Sequence, residues 1–289
     1  MSKKDLIISF QGSPGAYSDM ACRSAYPAMK TLGCKTFSDA FEAVRSGLAA
    51  LAMIPIDNTI AGRVADIHHL LPNSDLHIIG EHFQRVNHHL LAVPGTKLSD
   101  ITHVHSHVHA INQCGKFIRK HKLDPIVHAD TAGAASDIAA AGDKTQAAIA
   151  SELAADIEGL ISIKGNIEDA DHNTTRFIIM AAKALKIDLD TKNIITSFVF
   201  HVRNVPAALY KSLGGFATNG VNLTKLESYV DESFVAAQFY ADAEGHPEQR
   251  GLKSALEELA FVTHEIKILG TYPAHPFRLQ QNGKKIVKY

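Results

Sequence analysis

Short apolar runs alternate with segments of helical periodicity along the first 180 residues, and this alternation limits the fold more than any other feature of the sequence. LIISF at residues 6–10 and LAALAMIPI at residues 48–56 read as buried strands, and FSDAFEAVRSG at residues 37–47 lies between them with apolar residues at helical spacing. Alternating strands and helices favour parallel sheets covered by helices, with ligands beyond the carboxyl ends of the strands. The sequence therefore predicts an α/β fold.

The pattern changes after a polar, lysine-bearing segment at residues 181–193, which we interpret as a linker. From there to residue 273 the predicted elements follow the order strand, helix, strand, strand, helix, strand. This βαββαβ order is typical of a ferredoxin-like unit, in which helices cover one face of a four-stranded antiparallel sheet. We therefore expect a second, independent domain.

The charges of the chain nearly cancel, with 29 Lys and Arg against 30 Asp and Glu. No overall field would draw it to nucleic acid or to an anionic membrane, so we expect neither as a partner and a small molecule instead. The N-terminal segment runs directly into a glycine turn, unlike a signal peptide, and no stretch is long and apolar enough to span a bilayer. These features predict a cytoplasmic protein.

Four histidines alternate in THVHSHVHA at residues 102–110: His103, His105, His107 and His109. If the whole stretch were one strand, their rings would share a face and could hold a metal. No carboxylate stands beside them, however, and the stretch continues into a helix-like segment, AINQCGKFIRKH. We therefore expect a strand end, a helix capped by Ser106, and no metal site.

Four turns at predicted strand ends carry small polar residues: GSPGAYS, PIDNTIAG, HSHVHA and HNTTRF. Each alone is explained by ordinary turn chemistry, and GSPG matches no nucleotide-binding loop. Gathered in one cleft, their hydroxyls, amides and guanidinium would suit a small carboxylated ligand held by hydrogen bonds. Two classes stay open at this point: a two-lobed solute-binding or sensor protein, or an enzyme whose substrate needs only positioning and a proton.

Six motifs in order resemble the prephenate dehydratase family with its C-terminal ACT regulatory domain: FQGSPGAYS, PIDNTIAGRV, HSHVHAINQC, AAIASELAA, GNIEDADHNTTRF and GVNLTKLES. The resemblance implies a two-lobed catalytic domain with the fold of a type II periplasmic binding protein, over residues 1–183. Its first lobe would cover about residues 1–80 and 171–183, its second about 81–170, and the ACT domain residues 194–273. It also implies conversion of prephenate to phenylpyruvate. Aromatisation drives this reaction, so no cofactor is expected.

The resemblance implies that Thr175 is the catalytic residue, whose hydroxyl donates a hydrogen bond to the departing hydroxide. Arg176 would pair with a substrate carboxylate; the alternative is a salt bridge to an acid such as Asp171. Ser38 would either reach the cleft or cap its helix. The full set of expected substrate-binding residues is Arg176, Ser13, Gly15, Ser38, Asn58, Thr59, Ser106, His107, Thr174 and Phe177. Asp57, Val108 and Thr174 stand where the family usually has Glu, Pro and Val.

The resemblance further implies that the ACT domain binds phenylalanine between the subunits of a homodimer or homotetramer. The expected effector-binding residues are Ala207, Ala208, Leu209, Asn222, Leu223, Thr224, Glu227 and Ser228. Half of each of the family's two effector motifs is altered, so a domain that only mediates dimerisation is the alternative. For the whole chain, the alternatives are an arogenate or cyclohexadienyl dehydratase and a non-catalytic binding protein.

Overall fold

The computed structural model describes residues 6–64, 67–203, 205–230 and 236–278. Its first half begins with alternating strands and helices, as the sequence predicts. These elements are β1 (Ile7–Gln11), α1 (Tyr17–Ala25), β2 (Lys30–Cys34), α2 (Phe37–Arg45), β3 (Leu51–Asn58), β4 (Gly62–Arg63), α3 (Ile67–Leu70) and β5 (His77–Arg85).

The first sheet has the strand order β2-β1-β3-β11-β5, where β11 is Thr174–Ala181, and β4 pairs with β3. The β1–β2 and β1–β3 pairs are parallel. The interior residues of β3 and β11 are almost continuously buried, as expected for strands covered on both faces. This sheet brings Asn58, at the end of β3, next to the start of β11, although 115 residues separate Asn58 from Asn173.

The second sheet is formed by the next part of the chain and has the order β10-β6-β9-β7-β8. Its elements are β6 (His89–Ala92), a 3-10 turn (Leu98–Asp100), β7 (His103–Ser106), α4 (Val108–Gln113), α5 (Gly115–His121), β8 (Asp124–Val127), α6 (Thr131–Ala141), β9 (Gln146–Ala150), α7 (Glu152–Glu158) and β10 (Ile161–Lys164). The chain crosses between the sheets twice, before β6 and after β10, which confirms the two-lobed periplasmic-binding-protein arrangement.

The prediction of purely parallel sheets is wrong in part. The β7–β8 and β7–β9 pairs are parallel, whereas β6–β9, β10–β6 and β3–β4 are antiparallel. The chain enters the second sheet through β6 and leaves it through β10. β6 runs against both β9 and β10, because it follows β5 of the first sheet and no crossover helix of its own sheet precedes it, whereas β10, joined to β9 by α7, runs in the same direction as β9.

Two predicted helix caps are also wrong. Thr36 caps α2: its hydroxyl accepts from the Asp39 amide while the Asp39 carboxylate accepts from the Thr36 amide, so Ser38 lies inside the first turn. His107, not Ser106, caps α4, with its Nδ1 accepting from the His109 amide. The single helix expected to end at His121 is divided into α4 and α5 at residue 114.

The third sheet confirms the ferredoxin-like prediction. Its elements are β12 (Ile194–Val202), α8 (Ala208–Thr218), β13 (Leu223–Val230), β14 (Ala236–Glu244), α9 (Arg250–Ala260) and β15 (Thr263–Pro273). The strand order is β13-β14-β12-β15 and every pair is antiparallel. Phe198, Phe200, Phe216 and Phe239 form its buried aromatic core. The sequence SFVAAQFYADA at residues 233–243 indicates a strand that starts at Ser233, and this start lies outside the described residues.

The chain folds into two compact units, one within residues 1–64 and 82–177 and the other within residues 65–81 and 178–289. The second unit therefore includes the first half of β5 as well as the ferredoxin-like sheet. The predicted domain bounds of 1–183 and 194–273 stay a prediction. No helix of the described residues is long and apolar enough to cross a bilayer.

A buried ionic cluster lies within the second unit, centred on Arg278, five residues beyond the end of β15. Its Nε and Nη2 donate to the two carboxylate oxygens of Glu81 at 2.6 and 2.9 Å. Nη2 lies 3.6 Å from Asp242, and Nη1 donates to the Thr224 hydroxyl at 3.1 Å. The side chains of Glu81 and Asp242 are fully buried. Arg278 therefore neutralises two carboxylates that water cannot reach.

Replacing Arg278 by Ala should lower the free energy of unfolding by about 3 kcal/mol, because the change removes the guanidinium that lies against two buried carboxylates. Arg278→Lys should retain part of this stability, since it keeps the charge and loses the bidentate fork. Urea denaturation measures both. The matched control is Arg250→Ala, at an exposed position that begins α9, where a change within about 0.5 kcal/mol is expected. Equal losses for the two Ala variants would contradict this account.

Candidate active site

The side-chain amide of Asn58, the last residue of β3, has a fixed orientation. Its Oδ1 accepts hydrogen bonds from the backbone amides of Ile60 and Ala61, at 2.9 and 2.8 Å. Backbone N–H groups only donate, so the atom facing them has to be the oxygen. The Nδ2 group, with two protons to donate, therefore points the other way.

Both Asn58 Nδ2 protons are used, one toward Thr175 Oγ1 and one toward Asn173 Oδ1, each at 2.9 Å. An amide NH₂ only donates, so the Thr175 oxygen is the acceptor of its bond. The hydroxyl proton of Thr175 is then available for another acceptor, and no other hydrogen bond involves this side chain among the described residues. Thr175 is partly exposed, at the start of β11. It is thus held as a donor facing outward.

The hydrogen-bond chain continues from Asn173 into the second lobe. Asn173 Nδ2 donates to Gln113 Oε1 at 2.9 Å, and His88 Nε2 lies 2.8 Å from the same oxygen. Because the Gln113 oxygen only accepts, the His88 proton is on Nε2. His88 Nδ1 lies 2.9 Å from the Tyr17 hydroxyl, whose oxygen also lies 2.6 Å from the Asn87 carbonyl, so these two acceptors share the single hydroxyl proton. The backbone of one turn therefore sets the direction of every bond from Asn58 to His88.

Burial controls the charge of the last members of this chain. It lowers the pKa of His88 below its ordinary value, against smaller opposing effects of Gln113 and Glu168. Burial also raises the pKa of Tyr17 well above its ordinary value, and Cys114 and Glu168 add to the increase. Both rings are therefore neutral at neutral pH.

Arg176 is buried and faces an acid other than the one considered from the sequence. Its Nη1 lies 3.7 Å from Asp57 Oδ2, whereas Asp171 lies 3.6 Å from His172. The arginine side chain is only 7% exposed. Asp57 is the position at which the longer Glu is usual in the family that the sequence resembles.

Thr59 and Thr174 join the two strand ends beneath Thr175. The Thr59 hydroxyl donates to the His172 carbonyl at 2.8 Å and accepts from the Thr174 amide at 3.0 Å, and the Thr59 amide donates to the Thr174 carbonyl. Thr174 is 8% exposed and Phe177 1%. These three residues hold the strand that carries the site.

Gly15 joins the first turn to the start of α7. Its amide donates to Asp19 Oδ2 at 2.9 Å and its carbonyl accepts from the Ser151 hydroxyl. Gly15 has φ +85°, and a Cβ there would lie 2.8 Å from Ala154 Cα, so only glycine fits. The Gly15 amide is therefore engaged within the protein, whereas Ser13 is partly exposed in the same turn.

Three other predicted residues differ in what they offer to a ligand. Ser106 is fully buried and its hydroxyl donates to the Ile149 carbonyl at 2.6 Å. His107 is partly exposed. Its pKa is lowered mainly by partial burial and to a smaller extent by the nearby His109. Ser38 is exposed on α2. Of the three, only His107 and Ser38 present side chains to solvent.

The alternating histidines do not form one strand. β7 ends at Ser106, so His103 and His105 lie on the strand and His107 and His109 belong to the start of α4. His103 bonds to Thr102, and His105 to Gln146. In the part of the chain that the structure describes, no group of three His, Cys, Asp or Glu side chains could hold a metal ion.

A cavity of about 250 Å³ lies between the turn after β3, helix α4 and the segment before β11. Its lining residues are Ile60, Ala61, His109, Asn112, Gln113, Asp169 and Ala170. Gln113 thus lies at the cavity and in the hydrogen-bond chain that leads to Thr175.

A family model described as prephenate dehydratase matches residues 8–185, well over half of the chain. The chain belongs to the prephenate dehydratase family.

Two curated relatives share most of this chain. It is 51% identical to a bifunctional N-acyl-homoserine lactone acylase/prephenate dehydratase of Komagataeibacter europaeus, over 94% of this chain and 97% of that protein. It is 38% identical to arogenate dehydratase/prephenate dehydratase 1 of Arabidopsis thaliana, over 92% of this chain and 71% of that protein.

Two solved structures are similar throughout. GqqA, described as a novel type of quorum quenching acylase, has a TM-score of 0.89 and 50% identity, and the match covers 94% of this chain and 99% of that one. Prephenate dehydratase from Arthrobacter aurescens, in complex with L-Phe, has a TM-score of 0.85 and 29% identity, with 93% and 90% covered.

Several residues of this candidate site were not predicted from the sequence. Asn173, Gln113, His88 and Tyr17 connect Thr175 to the second lobe, and Asp57 accompanies Arg176. Asn173 and Gln113 stand inside the motifs GNIEDADHNTTRF and HSHVHAINQC, so amides within those motifs were a usable signal. Tyr17 likewise stands inside the motif FQGSPGAYS. Nothing local to His88 indicates a role, because its partner Tyr17 lies 71 residues away in the sequence.

The residues expected to bind the effector lie on α8 and β13. Ala207, at φ +61°, precedes the buried Ala208 and the 37% exposed Leu209. Asn222, Thr224 and Ser228 are exposed, Leu223 is half-buried, and Glu227 forms an ion pair with Lys225 at 2.7 Å. The sequence PAALYKSLGGFATNG indicates a helix started by Pro206, whereas the helix begins two residues later, at Ala208.

Lowering the pH should decrease the stability of this protein, because the pKa of His88 differs between the folded and unfolded states. Its pKa is lowered on folding, so the unfolded chain takes up the proton first as the pH falls through about 6.5. Neutral His88 therefore contributes stability above that pH, and this contribution is lost as the pH falls toward the lower pKa that His88 has in the folded state. Between about pH 7.5 and 5.5, urea denaturation of His88→Gln should show a shallower decrease than the parent. His107 and His275, whose pKa values are also lowered, act equally in both proteins, so parallel curves would contradict the prediction.

Proposed function

We propose that this chain is a prephenate dehydratase in the biosynthesis of phenylalanine, removing the ring carboxylate as carbon dioxide and the ring hydroxyl as water to give phenylpyruvate. The observation that carries the proposal is the direction of the Asn58–Thr175 hydrogen bond. Since the threonine oxygen accepts from Asn58, its proton can be donated to a ligand oxygen.

The reaction needs such a donor at one atom. As carbon dioxide leaves, the electron pair of the broken C–C bond enters the ring and expels hydroxide from the opposite carbon, and the ring becomes aromatic. A hydrogen bond donated by Thr175 to the departing oxygen stabilises the charge that develops there. Accepting a hydrogen bond from Asn58 makes the Thr175 hydroxyl a stronger donor. The proton that completes water comes from solvent through this hydroxyl, and the residue is regenerated.

The substrate carries two carboxylates, and we assign their binding to the surrounding residues. Among the predicted set, Arg176, Ser13, Ser38 and His107 would contact the ligand through polar side chains. Asn58 would act through Thr175, since its own amide is fully engaged within the protein. Gly15, Thr59, Ser106, Thr174 and Phe177 would shape the site, since the backbone or hydroxyl groups of the first four are engaged within the protein.

Thr175→Ala should reduce kcat by roughly two to four orders of magnitude, the range for loss of a proton donor, with little change in KM. The matched control is Thr175→Ser, which keeps the hydroxyl and should retain most of the activity. Phenylpyruvate formation from prephenate, followed by its absorbance in alkali, measures both. Turnover of the Ala variant within a few-fold of the parent would refute the role.

Phenylalanine is the proposed effector, bound by the ferredoxin-like unit acting as an ACT domain. The structure from Arthrobacter aurescens that this chain resembles is a complex with L-Phe. Because half of each effector motif is altered, the sign and strength of the response to phenylalanine have to be measured. Exposed apolar residues, Tyr210 at 80% and Phe261 at 78%, support a homodimer or homotetramer, and a cytoplasmic location remains part of the proposal.

Asn222→Ala should weaken the response to phenylalanine while the basal rate changes little, because Asn222 is an exposed residue at the edge of β13. Prephenate turnover titrated with phenylalanine gives the inhibition or activation curve. Asn73→Ala, an exposed asparagine outside the predicted pocket, is the control. A curve for Asn222→Ala that overlays the parent and control curves would exclude this pocket.

A second substrate and a second activity follow from the relatives. The Arabidopsis thaliana protein is named for arogenate as well as prephenate, so arogenate should be assayed beside prephenate. The Komagataeibacter europaeus protein is also named as an N-acyl-homoserine lactone acylase, and its 51% identity makes acylase activity the second candidate. Hydrolysis of an N-acyl-homoserine lactone by the parent and by Thr175→Ala would test it and show whether both activities use one hydroxyl.

A further inference from the structure

Gln113 is the place where the hydrogen-bond chain from Thr175 reaches the cavity. Its Oε1 accepts from Asn173 Nδ2 at 2.9 Å and from His88 Nε2 at 2.8 Å. Its Nε2 group has no hydrogen-bond partner among the described residues, and Gln113 lines the cavity. The amide therefore offers the cavity two N–H donors and no acceptor, which suits a carboxylate.

One hydrogen bond would not be enough to hold this orientation. With Asn173 alone, the Gln113 amide could turn about the line from donor to acceptor. The second bond, from His88, defines the plane of the amide. It also makes the flipped amide unfavourable, because the flipped nitrogen would face two donors.

His88 is itself held by the protein. Its ring meets the Tyr17 ring edge-on at 5.5 Å, with the Tyr17 hydroxyl at Nδ1. Its backbone amide donates to Glu168 Oε2 at 2.9 Å. His88 is only 2% exposed, so it does not reach a ligand itself, whereas its hydrogen-bond partner Gln113 lines the cavity.

We propose that His88 is a positioning residue for the reaction: by donating its Nε2–H to Gln113 Oε1, it holds the Gln113 amide N–H groups toward the cavity, where they bind a carboxylate of the substrate. The inference rests on the proposed function. It assigns His88 no contact with the substrate and no step of proton transfer.

The kinetic test compares two replacements in the full chain. His88→Phe keeps a ring and removes the donor, so the KM for prephenate should rise about tenfold, and kcat should change less than KM, because a binding contact is lost. His88→Gln can donate from its own Nε2 and should restore KM to within about threefold of the parent. Parental KM in the Phe variant, or equal changes in the two variants, would overturn the proposal.

A double variant with His88→Phe and Gln113→Ala tests whether His88 acts through Gln113. If it does, adding His88→Phe to Gln113→Ala should change KM by less than about twofold, because the two residues form one coupled unit. A further tenfold increase in that background would show that His88 acts by another route, and would overturn the inference.

A third measurement does not depend on activity. In the full chain labelled with 15N-histidine, long-range 1H–15N correlation spectra report which ring nitrogen carries the proton, and the His88→Gln variant identifies the signal. The proposal requires protonation at Nε2, and protonation at Nδ1 alone would overturn it. A parent without prephenate turnover would overturn the function and this role together, whereas an active parent with His88→Phe unchanged would overturn the role of His88 alone.

Discussion

Two backbone amides, those of Ile60 and Ala61, hold the oxygen of the Asn58 side chain, and the chemistry of the site depends on that small constraint. Once this oxygen is engaged, the Asn58 nitrogen has to donate to Thr175 and Asn173. Each later partner then has a single possible role as donor or acceptor. The chain of bonds therefore ends in outward donors at both ends, the Thr175 hydroxyl and the Gln113 amide nitrogen. A site that stabilises a departing oxygen and binds carboxylates needs that polarity.

The same constraint connects distant parts of the sequence. Asn58 comes from the first lobe, Gln113 from the second, and Asn173 from the segment by which the chain returns to the first. Gly15 makes a second connection, because its carbonyl accepts from Ser151 and its lack of a side chain lets α7 approach. The lobes are thus joined by polar contacts of defined direction at the site, while each lobe keeps its own apolar core.

Much of this could be predicted from the sequence, for identifiable reasons. Alternating apolar runs and helices predicted an α/β unit, the family resemblance implied its two lobes, and the βαββαβ order predicted the ferredoxin-like unit. β2 (Lys30–Cys34) was missed because it is short and only partly buried, and β8 (Asp124–Val127) because none of its four residues is buried. The cap of α2 was misplaced, although Thr36 and Asp39 form the spacing of a capping box. Bond direction in the site could not be predicted, since it depends on partners such as Asn173 and Gln113, 60 residues apart.

The pairing of Arg278 with Glu81 bears on how members of this family could be recombined. Glu81 belongs to β5, far from the ferredoxin-like sheet in sequence, yet residues 65–81 form one compact unit with the C-terminal part of the chain. A chimaera that exchanged only residues 194–273 would combine one parent's Asp242 with another parent's Arg278 and Glu81. A transplant that carries all three residues from a single parent would keep their charges matched. The natural exchange unit is therefore discontinuous: it comprises residues 65–81 and the chain from residue 178 onward, with junctions near residue 65, inside β5 and near residue 178.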